Sequence, residues 1–121
     1  MPPETELSAP SPAALSDTPP QAGEILLTLI APMAVAEAVE DLLLARSDLV
    51  SGFTSIAADG HGSRLALHGA GELVSGHAPR LQIQTITAPG AVRELLAALK
   101  AALPRAALYY WLTPVLEKGP L

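Results

Sequence analysis

The chain twice runs from a strand-like segment, through a proline, into an apolar stripe of helical period, and few folds satisfy that order. In the first pass Glu24–Ile30 is a short run rich in Ile, Leu and Thr, as expected of a strand buried on both faces. Ala31-Pro32 ends it, and Pro32 suits a helix start, where its missing N–H has no partner to lose. Val35, Ala38, Val39, Leu42 and Leu43 then fall at i, i+3, i+4, i+7 and i+8. That spacing predicts one face of an amphipathic helix, with Glu37, Glu40 and Asp41 opposite. In the second pass Arg80–Thr87 alternates, Leu81, Ile83 and Thr85 against Gln82 and Gln84, as in a half-exposed strand. Pro89-Gly90 opens a second helix with the core face Val92, Leu95, Leu96, Leu99 and Leu103, and Pro104 stops it.

The remaining segments complete the pattern. Ser47–Ser51 turns the chain, Gly52–Ala58 reads as a strand, and Leu108–Val115 reads as another, carrying Tyr109, Tyr110 and Trp111. Residues 59–79 form a long loop with Gly60, Gly62, Gly69, Gly71 and Gly76. The order is βαββαβ, which predicts an α+β ferredoxin-like sandwich: an antiparallel four-stranded sheet with two helices on one face. The other face is expected to carry Leu, Ile, Ala and aromatic residues, and an apolar sheet face left open predicts self-association.

Length and charge narrow the function. The 121 residues suit one domain. Residues 1–23 read as a separate Pro-rich acidic tail, expected to be disordered, and 24–121 as the folded domain. The tail holds six of the twelve prolines and no Lys or Arg, too little apolar surface to offset its ordering entropy. The net charge is −5 and the seven basic residues are scattered, which argues against nucleic acid as a partner. The chain has no Cys, which removes disulfides and thiolate chemistry and is compatible with a cytoplasmic location. No run reaches the ~20 apolar residues of a spanning helix, and the N-terminus lacks the basic start of a signal peptide, so direct membrane insertion is not expected.

Three stretches carry a family resemblance: ILLTLIAPMAVAEAVEDLL from Ile25, GFTSIAADGHG from Gly52 to Gly62, and PRLQIQTITAPGAVRELLAALKAAL from Pro79 to Leu103. They resemble the PII-like superfamily of signalling proteins, to which the CutA metal-tolerance proteins are related. GFTS, GHG, VSG (Val74–Gly76) and YWLTPVLE-x-G (Tyr110–Gly119) further resemble a family of small uncharacterised bacterial proteins whose genes lie beside heavy-metal efflux systems. The likeness covers about residues 24–119. It implies a homotrimer with its sheets facing inward, and ligands held in clefts between subunits at the base of the long loop. It also implies a heavy-metal efflux component as partner. The chain departs from PII proteins between the second helix and the last strand. Pro104-Arg105-Ala106-Ala107 has none of the glycines that bring several backbone N–H groups to a phosphate. This counts against adenine-nucleotide binding in the PII manner.

The candidate site residues cluster in the long loop. All three histidines, His61, His68 and His77, sit there, with Glu72 four residues after His68. Imidazole suits Cu, Zn and Ni, and a trimer would repeat any one ligand three times. Against a metal site, the spacings match no compact ligand motif, and loop histidines often bond backbone carbonyls instead. Gly60 and Gly62 give His61 unusual backbone freedom. Arg64 and Arg80 flank the loop and suit an anionic ligand, with simple solvation as the other reading. Glu37 and Asp41 read as a solvated helix face, with the helix dipole favouring Glu37. Tyr109 and Trp111 share one strand face and Tyr110 takes the other, which suits a subunit interface. No nucleophile–base arrangement is visible, so an enzyme is not expected. The resulting expectation is a small-ligand or metal-responsive regulatory protein binding at inter-subunit clefts by the 59–79 loop. A non-catalytic metal-binding or interaction module is the alternative.

Overall fold

A computed structural model of the protein describes residues 23–62 and 78–121. Apart from Gly23, the N-terminal tail lies outside these residues. The elements run β1 (Ile25–Pro32), α1 (Met33–Ala45), β2 (Thr54–Gly60), β3 (Ala78–Thr87), α2 (Pro89–Ala102) and β4 (Tyr109–Pro114). The four strands form one sheet in the order β2-β3-β1-β4, every neighbouring pair antiparallel. This is the ferredoxin-like α+β arrangement the βαββαβ pattern requires. No described helix is long and apolar enough to cross a membrane.

The core lies between the sheet and the helices. Leu27, Leu29 and Ala31 of β1 meet Val39 and Leu43 of α1, Ile83 of β3, and Val92, Leu95 and Leu99 of α2. Alternate residues of a strand share one face, so β1 contributes its odd-numbered side chains. On α1 the buried line is Ala36, Val39 and Leu43, rather than the expected line through Ala38, which is exposed. The helix starts one residue after Pro32, its N-cap, and that phase turns Ala36 toward the sheet. It also places Glu37 beyond the first turn, where the macrodipole has faded.

Loop 46–53 closes the far end of the sheet through side-chain hydroxyls. Thr85 Oγ1 donates to the Gly52 carbonyl at 2.6 Å, and Thr87 Oγ1 to the Leu49 carbonyl at 2.7 Å. Both threonines are buried, and a buried hydroxyl is costly without such a partner. With its carbonyl taken by Thr85, Gly52 stands before the ladder. β2 therefore begins at Thr54, opposite Gln84, two residues later than the sequence pattern predicts. Arg46 caps α1, its N–H reaching the Leu42 and Leu43 carbonyls. Its guanidinium donates twice to Asp48 and once, at 2.8 Å, to Glu94 of α2. These bonds hold the Asp48 carboxyl below its ordinary pKa, so the fork is complete at neutral pH and is lost as pH falls through that depressed value.

Replacing Thr85 with Val keeps the shape and removes the donor to the Gly52 carbonyl. Gly52 is exposed, so water can take over its carbonyl and the expected loss is about 0.5–1.5 kcal/mol of folding free energy, read as a lower denaturant midpoint at unchanged slope.

Candidate ligand-binding site

The helix-free face of the sheet follows from the strand registers. One row crosses it as Ile56, Gln82, Ile30 and Tyr109, and the next as Thr54, Gln84, Thr28 and Trp111. Leu26, Ile86 and Thr113 form a further row toward the end of the sheet. The face therefore has apolar flanks and a polar middle, where Gln84 Nε2 donates to Thr28 Oγ1 at 3.1 Å. Tyr109 and Trp111 pack together on it with ring centroids 6.1 Å apart, and Tyr110 points to the helix side, as the strand alternation predicts. Among the described residues, no helix covers this face.

Two features adjoin it along β2, an edge strand. The first is the end of the β2–β3 pair. Gly60 sits opposite Ala78 and Ala58 opposite Arg80, so His61 and Gly62 follow the last paired residues while Arg80 lies two positions further into the sheet. Gly62 has φ +138°, with open space where a Cβ would stand; the backbone angle alone demands glycine. Arg80 keeps its expected place in the third strand but is not the solvated side chain that one reading of it allowed. It lies within β3 and is only 4% exposed, with Nη1 donating to the Pro79 carbonyl at 3.1 Å. A guanidinium held this far from water is retained only with compensating acceptors around it. His61 is exposed. Among the described residues no three His, Cys, Asp or Glu side chains gather as a metal site. Arg64, His68, Glu72 and His77 lie outside the described residues.

The second feature is a shallow cleft of about 430 Å3 at the start of β2, lined in part by Ser51, Phe53, Thr54, Gln84 and Lys118. It forms because β4 ends beside the start of β1, with Ile25 opposite Pro114. The Val115 N–H then reaches the Glu24 carbonyl at 3.2 Å, and Lys118 pairs with Glu24. Hydroxyl, amide and ammonium groups converge there beside an aromatic ring, the mixture small-ligand sites use. The sequence reading passed over this cleft. Its residues come from four distant segments, around Leu26, Ser51–Thr54, Gln84 and Lys118, and only the alternation that places Gln84 outward hinted at it.

On α1, Glu37 and Asp41 are exposed, as the solvated-face reading predicts. Glu40 is half-buried and accepts a 3.2 Å bond from Ser55 Oγ of β2. Between α2 and β4, Ala107 takes φ 57°, a left-handed angle that costs a side-chain-bearing residue roughly 1–2 kcal/mol. The glycine-poor connection thus keeps a turn that glycine would fit more easily.

Comparison with known proteins places this geometry. The family profile described as "Protein of unknown function (DUF3240)" matches residues 21–121. The fold is similar to a DUF3240 protein of Shewanella baltica, with 22% identity, TM-score 0.67, and 82% of this chain and 97% of that chain covered. It is also similar to CPII, a nitrogen regulatory PII-like protein of Thiomonas intermedia bound to ADP, AMP and bicarbonate. That match has 19% identity, TM-score 0.60, and coverage of 81% and 96%. The periplasmic divalent cation tolerance protein CutA of Archaeoglobus fulgidus matches with 15% identity, TM-score 0.58, and coverage of 80% and 87%. At these identities the likeness establishes the fold. None of the curated proteins matches the chain.

Arg80→Ala should destabilise the fold by about 1–3 kcal/mol, since it removes a buried side chain and its hydrogen bond to the Pro79 carbonyl. Arg105→Ala, at an exposed position, should stay within about 0.5 kcal/mol. Parallel denaturant titrations of the two variants check the contrast.

Proposed function

This chain belongs to the DUF3240 family and has the fold of the PII-like and CutA proteins, and from that premise we propose that it is a trimeric, ligand-responsive regulatory protein rather than an enzyme. The observation that carries the reading is the helix-free face. Ile56 is 53% exposed, Tyr109 68% and Trp111 44%, all on one side of a small domain. Apolar surface gains roughly 25 cal/mol per Å2 when removed from water, so burying these side chains against further copies favours assembly. A homotrimer with the sheets turned inward satisfies the face, and it sets the β2 edge of each subunit at a seam.

The ligand surface we assign runs along that edge, from the cleft at Ser51, Thr54 and Lys118 to Gly60, His61, Gly62 and Arg80. Arg64, His68, Glu72 and His77 belong to the same proposed surface by their place in the sequence between β2 and β3, a connection shorter than the expected 59–79 loop because Asp59, Gly60, Ala78 and Pro79 belong to the strands. Two ligand classes fit. CPII, with a similar fold, is described as bound to ADP, AMP and bicarbonate, and at the cleft Lys118 brings an ammonium, paired with Glu24 in the free protein, that an anion would share. CutA is described as a divalent cation tolerance protein, and His61, repeated by threefold symmetry, would present three imidazoles to Cu, Zn or Ni. A heavy-metal efflux component in the cytoplasm is the partner that suits the second class. Ordering of a ligand-contacting loop is a common way to pass such a signal to a partner.

Sedimentation at micromolar concentration should give a trimer, and Ile56→Glu with Trp111→Glu should shift it to a monomer. A stable monomer of the unmodified chain would overturn the assembly. Calorimetric titration with Zn2+, Cu2+, Ni2+, ADP and AMP then identifies the ligand class. His61→Ala should weaken metal binding by about tenfold or more, and unchanged affinity would remove His61 from the site.

A further inference from the structure

On the other side of the sheet, α2 packs over β1 and hardly touches β4. The gap is a groove of about 440 Å3 whose floor reaches Leu29 of β1 and whose walls include Leu96, Leu103 and Leu108. Tyr110 lines it too. Although Tyr110 stands on the core side of β4, it remains 44% exposed, because no helix comes down on it. Leu96 and Leu103, expected in the core, are only partly buried and face this opening. Arg93 and Lys100 stand along the same groove. Seven residues apart, they share one face of α2, separated by about 10 Å at 1.5 Å per residue. Among the described residues neither joins an ion pair, although the chain carries a net charge of −5.

We propose that this groove binds an anionic amphiphile, a carboxylate carrying an aliphatic chain or an aryl ring. The leucine walls take the apolar body, and Arg93 or Lys100 takes the carboxylate at the rim. Two cations without ion pairs among the described residues, beside a leucine-lined slot, set the sign of the charge the ligand must carry. The volume sets its size. It falls in the range of roughly 300–1,000 Å3 typical of small-molecule sites. The groove lies on the helix side, opposite the helix-free face, and the site does not depend on the identity of the ligand held along β2.

Decanoate and decyltrimethylammonium, which share a chain and differ in charge, test the proposal on the full protein by backbone-amide NMR. Decanoate should shift the amides of Ala97, Lys100 and Ala107 with a dissociation constant of about 1 mM or tighter. The cationic analogue should bind about tenfold or more weakly. Arg93→Glu with Lys100→Glu should weaken decanoate by about tenfold, and Ala97→Phe should block it by filling the groove. All three positions are exposed, and Arg93→Gln with Lys100→Gln serves if the reversal disturbs folding. Equal response to both amphiphiles, shifts confined to Ile56, Tyr109 and Trp111, or no shift in the groove would each overturn it. Sedimentation of the same samples keeps this outcome separate from the oligomeric state.

Discussion

The pairing of β1 with β3 down the middle of the sheet is the contact on which the other elements depend. Eight residues of β1 face eight of β3 in unbroken register, from Ile25 opposite Thr87 to Pro32 opposite Arg80. Each strand then offers its free edge to one outer strand. The helices follow because each begins where a central strand ends, α1 at Met33 and α2 at Pro89. Both fold back over the same side, and the odd-numbered side chains of β1 and β3 are sealed. The even-numbered ones are left facing the other way.

Those two sides have different chemistry. The covered side is built from Leu, Val and Ile around Leu29 and Ile83. The uncovered side has a hydrogen-bonded centre, Gln84 with Thr28, between apolar flanks. A wholly apolar face would associate without a fixed arrangement. A polar pair at the centre restricts which registers leave every buried group satisfied. The Gln84–Thr28 pair thus adds a polar centre to a face that the sequence led one to expect rich in Leu, Ile, Ala and aromatic residues.

Much of the fold was legible because the periodic signals were long and bounded by proline. The helix from Pro89 to Ala102 and the strand from Arg80 to Thr87 stand almost where the pattern predicts. Phase was less legible. Ala36 and Ala38 are chemically the same residue, and only the tight β1–α1 junction decides which one meets the sheet. The candidate site was legible in part. The Gly60-His61-Gly62 motif marks the end of β2, but nothing local in the sequence shows that Arg80, two residues into β3, is buried. The cleft at Ser51, Gln84 and Lys118 was invisible for a similar reason: its parts meet only once the sheet has formed. The groove beside Tyr110 arises from what α2 fails to cover, and no residue pattern announces an uncovered strand.

The central position of β1 also governs how the molecule forms. Leu29 lies at the heart of the sheet, yet its cross-strand neighbours, Ile83 and Tyr110, both belong to the last third of the chain. A nascent chain emerging from the ribosome holds its most apolar strand without a partner until β3 has been made, and the sheet closes only when β4 follows. Such long-range pairing slows folding and lengthens the exposure of that strand. The interval before β3 is completed at Thr87 is therefore when chaperone capture, or mispairing of Leu26–Ile30 between neighbouring nascent chains, competes most strongly with the native route.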